Sequence, residues 1–583
     1  MRIFLDLGWF FKQEKKAYIS GVFILLFVAI LQLIPPKVIG IIADQVKNRT
    51  LTSGVLLKWI FVIIAATVIM YVLRYYWRIM IFGSAVKLSK LLRNRLYQHF
   101  TKMSPDFYQK HRVGDLMAHA TNDLQAIQQT AGDGVLTLVD SLSTGGFVIL
   151  AMGFTISWKL TLISLIPMPF MAALTSWFGT MLHRTFYQAQ EAFSSLNDKT
   201  QESINGIKVI KTFGQEKQDI EDFRRQSEDV VQKNIVVAKI DSLYDPTISI
   251  IVGISFFLSI AFGAKYVMAH ELTIGQLISF TAYLGLLIWP MLAFGWLFNI
   301  VERGRASYDR VMALLRETIE IKDHEHAISE VPSGDIEYKI KSFTYPNDPQ
   351  PTLTDSYFSL EKGETLGVVG KTGAGKTTLL KLLIREFENV EGEIVFGGKP
   401  IQAYKLEKLR EAIGYVPQDH FLFSATVAEN IAFSNPLAKM EQIQEAAQLA
   451  NIHDDILQFT DGYDTVVGER GVSLSGGQKQ RISIARAILM NPEVLVLDDS
   501  LSAVDAKTEE AILSALRKNR DGKTTIITSH RLSAIQYANL ILVFDNGKII
   551  ERGTHDELME FGGWYKEMYL RQQLEELVEH GGH

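Results

Sequence analysis

Gly370-Lys371-Thr372-Gly373-Ala374-Gly375-Lys376-Thr377-Thr378 is the stretch that decides how the second half of this chain folds. It follows the apolar run TLGVV (residues 365–369) and opens into TLLKLLI (residues 378–384), so a buried strand passes through a glycine-rich loop into a helix. The glycines let backbone N–H groups wrap around phosphates, and the start of the helix adds more donors aimed the same way. Lys376 is spaced to reach the β- and γ-phosphates, and the Thr377 hydroxyl to ligate Mg²⁺. The loop therefore predicts an α/β domain that takes ATP with Mg²⁺.

Two further motifs lie downstream. Val494-Leu495-Val496-Leu497-Asp498 is a strand-like apolar run ending in a carboxylate suited to the Mg²⁺ shell, since that ion keeps several waters and takes one or two carboxylates. Leu474-Ser475-Gly476-Gly477-Gln478 opens the helical pattern KQRISIARAIL. A serine and two glycines at a helix start favour an anion. No Lys-Ser/Thr pair follows them, so they are not a second phosphate loop and serve some other anion.

The first half is of a different kind. The chain has 583 residues, 48% of them apolar and 21% charged, which is too long for a single ordinary core. Long uncharged runs are confined to the N-terminal half. A membrane span needs about 20 apolar residues because lipid offers the backbone no hydrogen-bond partner. Six stretches qualify, approximately 17–42, 55–76, 134–158, 160–182, 246–268 and 272–300. Pro35, Pro36, Pro167, Pro169 and Pro290 fall inside them, where bundled neighbours can satisfy the freed carbonyls. The links after the second and fourth stretches are long, rich in Lys and Arg and helical in period, so they read as helices continuing beyond the membrane on the cytoplasmic side. Both termini are expected on that side. The opening MRIFLDLGWFFKQEKKAY reads as an amphipathic interfacial helix with no cleavage site. The net charge of −5 gives no reason to expect a nucleic-acid partner. The absence of cysteine excludes disulfides and thiolate metal sites. The expected division is a transmembrane domain over residues 1–315, a polar linker over 316–335, an α/β nucleotide domain over 336–575 and a tail over 576–583.

The order of phosphate loop, LSGGQ and apolar-Asp strand resembles the nucleotide-binding domain of ABC transporters. With six spans ahead of it, the whole chain resembles an ABC exporter half-transporter. That resemblance implies that Tyr345 stacks on adenine and that Gln418 contacts Mg²⁺ and the attacking water. It implies that His530 steadies the γ-phosphate and that Ser502 to Asp505 line the seam between two nucleotide domains. It also answers the question of the anion, since Leu474 to Gln478 would cap ATP held by another subunit. Tyr108–Asp123 and Phe213–Phe223 would be the segments that couple the two domains.

One position departs from the family pattern. Where a glutamate usually follows the Mg²⁺ carboxylate, this chain has Asp499. The carboxylate is one methylene shorter, and a general base must lie within hydrogen-bond reach of its proton. The expectation is a heterodimer in which this chain's own site is slow while its LSGGQ completes the partner's site. Within the family the sequence is similar to subunits of heterodimeric multidrug exporters. For the substrate, Asp140 in the third span and Phe280, Trp289, Phe294 and Trp296 in the sixth suggest lipophilic cations in contact with membrane lipid. A homodimeric lipid or peptide exporter, or a regulatory subunit that only binds ATP, would carry the same motifs.

Overall fold

Proline and serine, rather than apolarity alone, decide where the helices of the first half stop. The computed structural model describes residues 2–580 other than Asn347 and residues 469–473, and side chains only up to residue 575 with a few more omitted. It divides into two compact units. One holds Met1–Thr101 with Arg112–Glu317, and the other holds Lys102–His111 with Thr318–His583.

The first unit is all helix. The first apolar stretch breaks between the helices Lys15–Leu31 and Ile34–Lys47, immediately ahead of Pro35 and Pro36. A proline has no N–H to donate to the preceding turn. Hydroxyls from a neighbouring helix bond to this segment, Tyr283 donating to the Leu33 carbonyl at 2.9 Å and Ser279 to that of Pro36 at 3.0 Å. The last stretch breaks likewise at Leu287, between Ile274–Leu286 and Ile288–Arg316, three residues before Pro290. Pro246, by contrast, sits inside the unbroken helix Glu216–Met268.

Among the described residues, 5 helical stretches are long and apolar enough to cross a membrane: Lys15–Lys47, Ser53–Phe100, Val113–Leu165, Glu216–Met268 and Ile274–Arg316. The expected fourth crossing is not one of them. Ser157 adopts an extended backbone and caps a new helix, Trp158–Leu165, which ends at Ile166 because Pro167 follows. The chain continues as Pro167–Asn205, whose apolar start gives way to a polar remainder. Helices of 48 and 53 residues (Ser53–Phe100 and Glu216–Met268) far exceed the ~20 that hydrocarbon requires.

Two glycines bring the first and last stretches together. A Cβ on Gly275 would stand 2.0 Å from the Gly40 carbonyl oxygen, so only glycine permits this approach. Beside it, the Asp44 carboxylate accepts from the Thr273 hydroxyl at 2.6 Å and from the Gly275 N–H at 2.7 Å. The N-terminal stretch forms two short helices, Arg2–Asp6 and Gly8–Gln13. Ile3, Leu7 and Phe10 are buried within the unit, and Arg95 lies 4.8 Å over the Trp9 ring.

Among the described residues the second unit has twelve strands. They are β1 (Ile336–Phe343), β2 (Leu353–Leu360), β3 (Thr365–Gly370), β4 (Val390–Phe396), β5 (Lys399–Pro400) and β6 (Ile413–Val416). There follow β7 (Ala425–Thr426), β8 (Val466–Val467), β9 (Val494–Asp498), β10 (Thr524–Thr528), β11 (Leu540–Asp545) and β12 (Lys548–Gly553). A four-stranded antiparallel sheet runs β2-β1-β4-β5, and a six-stranded sheet runs β12-β11-β3-β10-β9-β6 with only β12 antiparallel. Every residue of β9 and β10 is buried. Such strands read as continuous apolar runs because a parallel sheet is covered on both faces. In an open parallel sheet, ligands bind beyond the carboxyl ends of the strands. The phosphate loop leaves β3 at that edge and Asp498 ends β9, with β10 between them.

Candidate nucleotide site

The loop geometry begins with its glycines. Gly370, Gly373 and Gly375 have φ of 145°, 81° and 100°, a region that side chains with a Cβ rarely enter. Gly370 also lies beside Phe544 of β11, whose carbonyl oxygen would stand 2.1 Å from an added Cβ. Gly375 leads directly into the helix Lys376–Leu383. The Lys376 ammonium reaches back across the loop, donating to the carbonyls of Gly370 at 2.8 Å and Lys371 at 3.0 Å. Burial lowers the Lys376 pKa from its ordinary value, opposed by the charges of Asp499 and Asp498.

Asp498 is buried at the end of β9 and is held on both oxygens. The hydroxyls of Thr377 and Thr528 donate to Oδ1 at 3.0 and 2.8 Å, and the Tyr415 phenol to Oδ2 at 2.9 Å. Burial, and then the Asp498 charge, push the Tyr415 phenol upward, so it remains a donor. Asp499 has φ 45°, in the left-handed region that aspartate tolerates better than most residues. Its N–H donates to the Thr528 carbonyl at 3.1 Å and hydroxyl at 2.9 Å. The Gln418 amide donates to its carboxylate at 3.3 Å. Burial raises the Asp499 pKa. His530 opposes that rise, the Asp498 charge adds to it, and Lys376 opposes it.

His530 is exposed, and its carbonyl accepts from the Gln572 amide at 2.7 Å. The Tyr345 hydroxyl is 2.8 Å from that of Thr378, with its ring edge-on to Phe343 and Phe387. Lys376, Thr377, Asp498, Asp499, Gln418 and His530 thus gather at one end of one sheet. Thr528 and Tyr415 join them although sequence reading did not single them out. The signal for them is the parallel register, in which Thr528 lies opposite Asp498 and Tyr415 opposite Val496.

The cradle fits a magnesium nucleotide. Glycines at 370, 373 and 375 give the loop the positive φ its path needs, and a hydroxyl and a carboxylate converge at Thr377 and Asp498. Among the described residues no group of three or more His, Cys, Asp or Glu could hold a metal alone. That donor set suits Mg²⁺, which relies on substrate phosphates for part of its shell.

Leu474 is buried, and Ser475 caps the helix Gly476–Leu489 in a reciprocal pair with Gln478. The Ser475 hydroxyl accepts from the Gln478 N–H at 3.3 Å, and the Gln478 side chain accepts from the Ser475 N–H at 3.1 Å. Ser475 and Gly476 are exposed. Among the described residues no hydrogen bond joins Leu474–Gln478 to the phosphate loop of the same chain. The signature helix instead reaches Asp499 through Gln480, which donates to the Asp499 carbonyl at 3.5 Å and accepts from the Ala503 N–H at 3.0 Å. The Ser502 hydroxyl donates to that same carbonyl at 2.9 Å, and Asp505 caps the helix Ala506–Asn519 by accepting from the Thr508 N–H at 3.0 Å.

In the membrane unit, Asp140 accepts from the Thr144 hydroxyl one turn along at 3.2 Å. Phe280 is fully buried in a cluster with Val148, Tyr283 and Leu284, and presents no face to a ligand. Trp289 and Trp296 are exposed and lie beyond the break at Leu287. The Phe294 side chain lies outside the described residues.

A phosphate loop, a buried strand-end carboxylate and a capped LSGGQ helix behind a set of membrane-length helices define a membrane-bound ATPase. The chain belongs to the ABC transporter family and is an ATP-hydrolysing, multi-pass membrane transporter. The family model of the ABC transporter transmembrane region matches residues 18–291, and the ABC transporter model matches residues 353–502. The chain is 48% identical over 568 residues to the probable multidrug resistance ABC transporter ATP-binding/permease protein YheI of Bacillus subtilis, covering 97% of each. It is 49% identical over 575 residues to the multidrug resistance-like ATP-binding protein MdlA of Escherichia coli, covering 99% of this chain and 97% of that one. The solved structure of a bacterial Atm1-family ABC exporter with ATP bound superposes with a TM-score of 0.79 at 25% identity, covering 96% of this chain and 98% of that one.

Proposed function

We propose that this chain is one half of a heterodimeric exporter that couples ATP binding and hydrolysis to efflux of lipophilic cations. The observation that carries the two-chain reading is the helix start at Ser475 and Gly476, which is capped, exposed and, among the described residues, not hydrogen-bonded to the chain's own phosphate loop. In this reading it closes over the triphosphate tail of nucleotide held by the second subunit. The chain's own loop holds its nucleotide through Gly370–Thr378 and Tyr345. Thr377, Asp498 and Gln418 would hold Mg²⁺, which supplies neutralisation of phosphate charge when bound. Asp499, aimed by Gln418, takes the proton of the attacking water, and His530 faces the terminal phosphate. Because Asp499 is one methylene short, this site turns over slowly and works chiefly as a clamp. The partner supplies the glutamate, and this chain supplies its LSGGQ. In this reading the chain is also taken to resemble the BmrC subunit of the BmrC–BmrD multidrug exporter of Bacillus.

We read the membrane unit as six spans in the plasma membrane, with the fourth divided between Trp158–Leu165 and Pro167–Asn205 and both termini cytoplasmic. ATP favours the state in which the two nucleotide domains meet, because each triphosphate then contacts both chains, and that differential affinity drives the helices between inward- and outward-open arrangements. The names of the multidrug-resistance relatives support a lipophilic small-molecule substrate. Asp140, half-buried with its carboxylate accepting from the Thr144 hydroxyl, is the charge best placed to select cations. In inverted vesicles, Asp140→Asn is expected to reduce ATP-dependent uptake of cationic dyes about tenfold, given the usual worth of a buried charge–charge contact, and to spare neutral ones. An equal loss for both dye classes would remove Asp140 from cation selection.

A further inference from the structure

We propose that Thr528 is a positioning residue that aims both carboxylates of the Asp498–Asp499 pair. The inference rests on the reading of Asp498 as the Mg²⁺-facing carboxylate and Asp499 as the base. Thr528 ends β10 directly opposite Asp498, and it is buried. A hydroxyl has one hydrogen to give and two lone pairs to receive. That of Thr528 uses both functions at once, donating to Asp498 Oδ1 at 2.8 Å and accepting from the Asp499 N–H at 2.9 Å.

Each contact does separate work. On the Asp498 side, Thr528 and Thr377 share Oδ1 while Tyr415 holds Oδ2, so the carboxylate plane is fixed from both ends. An ionised carboxylate offers about four lone-pair sites, and three protein donors leave a single direction open. On the Asp499 side, the backbone at φ 45° persists only where its surroundings hold it. The N–H of Asp499 is shared between the Thr528 hydroxyl and carbonyl, and this sets where the side chain leaves the strand end. One buried hydroxyl therefore ties the direction of the metal-facing carboxylate to that of the base. Valine has the shape of threonine without this function, and serine keeps the function without the methyl.

The test uses the full-length chain in detergent or nanodiscs, with a non-hydrolysable ATP analogue titrated first in EDTA and then in Mg²⁺. The readout is the gain in affinity that Mg²⁺ confers. Thr528→Val is expected to cut that gain about tenfold or more, the ordinary effect of losing one hydrogen bond to a charged group. Affinity in EDTA should stay near the wild-type value, and Thr528→Ser should restore the gain. A full Mg²⁺ gain in Thr528→Val overturns the proposal, and so does a Thr528→Ser variant that behaves like the valine one. Asp498→Asn separates the two levels of the argument. Loss of the gain in that variant supports the assignment of Asp498, whereas a full gain overturns that assignment and the role of Thr528 with it.

Discussion

Lys376→Ala is expected to lower ATP hydrolysis by about 10²–10³-fold, the usual consequence of removing one preorganised donor from developing negative charge. The structure gives the reason. The ammonium bridges the carbonyls of Gly370 and Lys371 at 2.8 and 3.0 Å, so it already spans the loop that would surround the phosphates. It is largely buried, where a charge acts through a lower dielectric than at the surface. Two carboxylates, Asp499 and Asp498, offset the burial that disfavours its charged form. Arginine is not a conservative replacement, because a planar fork cannot repeat the contacts of a compact ammonium. Steady-state ATPase and melting temperature, measured together, separate loss of chemistry from loss of fold. Undiminished turnover in Lys376→Ala would place hydrolysis somewhere other than this loop.

The second large effect runs in the opposite direction. Asp499→Glu is expected to raise turnover at the chain's own site about 10²-fold, the lower end of what a well-placed general base contributes. The change lengthens the reach of a carboxylate that is already oriented by Gln418 at 3.3 Å and lifted in pKa by burial. It also carries a cost. Position 499 has φ 45°, and glutamate is less at ease there than aspartate, so a stability loss of about 1 kcal/mol should accompany the gain. The suitable preparation is the chain by itself, in which two copies would offer each other intact Leu474–Gln478 segments. Single-turnover cleavage of ATP in the two proteins gives the ratio directly. Equal rates would show that the missing methylene does not limit this site.

The chemistry of the site was more legible in the sequence than its support. Gly370–Thr377 could be read because a phosphate loop is contiguous, and its glycines stand where positive φ and a close backbone demand them. Ser475 with Gln478 was legible as a helix start for the same reason, since a capping pair spans only three residues. Thr528 and Tyr415 were not. Their meaning depends on which parallel strand lies beside Asp498, and register between strands far apart in the chain leaves no local trace. In the membrane unit, apolar runs found the helices but misjudged their ends. The expected sixth stretch is two helices separated at Leu287. The expected fourth begins at a serine cap and breaks before Pro167. The aromatic residues of the sixth stretch looked alike in sequence, yet Phe280 is enclosed while Trp289 and Trp296 are exposed.

If each ATP is enclosed by two different polypeptides, as proposed, the rate of hydrolysis by this chain with and without a second subunit measures that dependence. Purified by itself in nanodiscs, the chain should hydrolyse MgATP about 10²-fold more slowly than the assembled pair, because its own sites then have only Asp499 as base. Full-speed hydrolysis by a preparation verified as monomeric would contradict enclosure of the nucleotide by two chains.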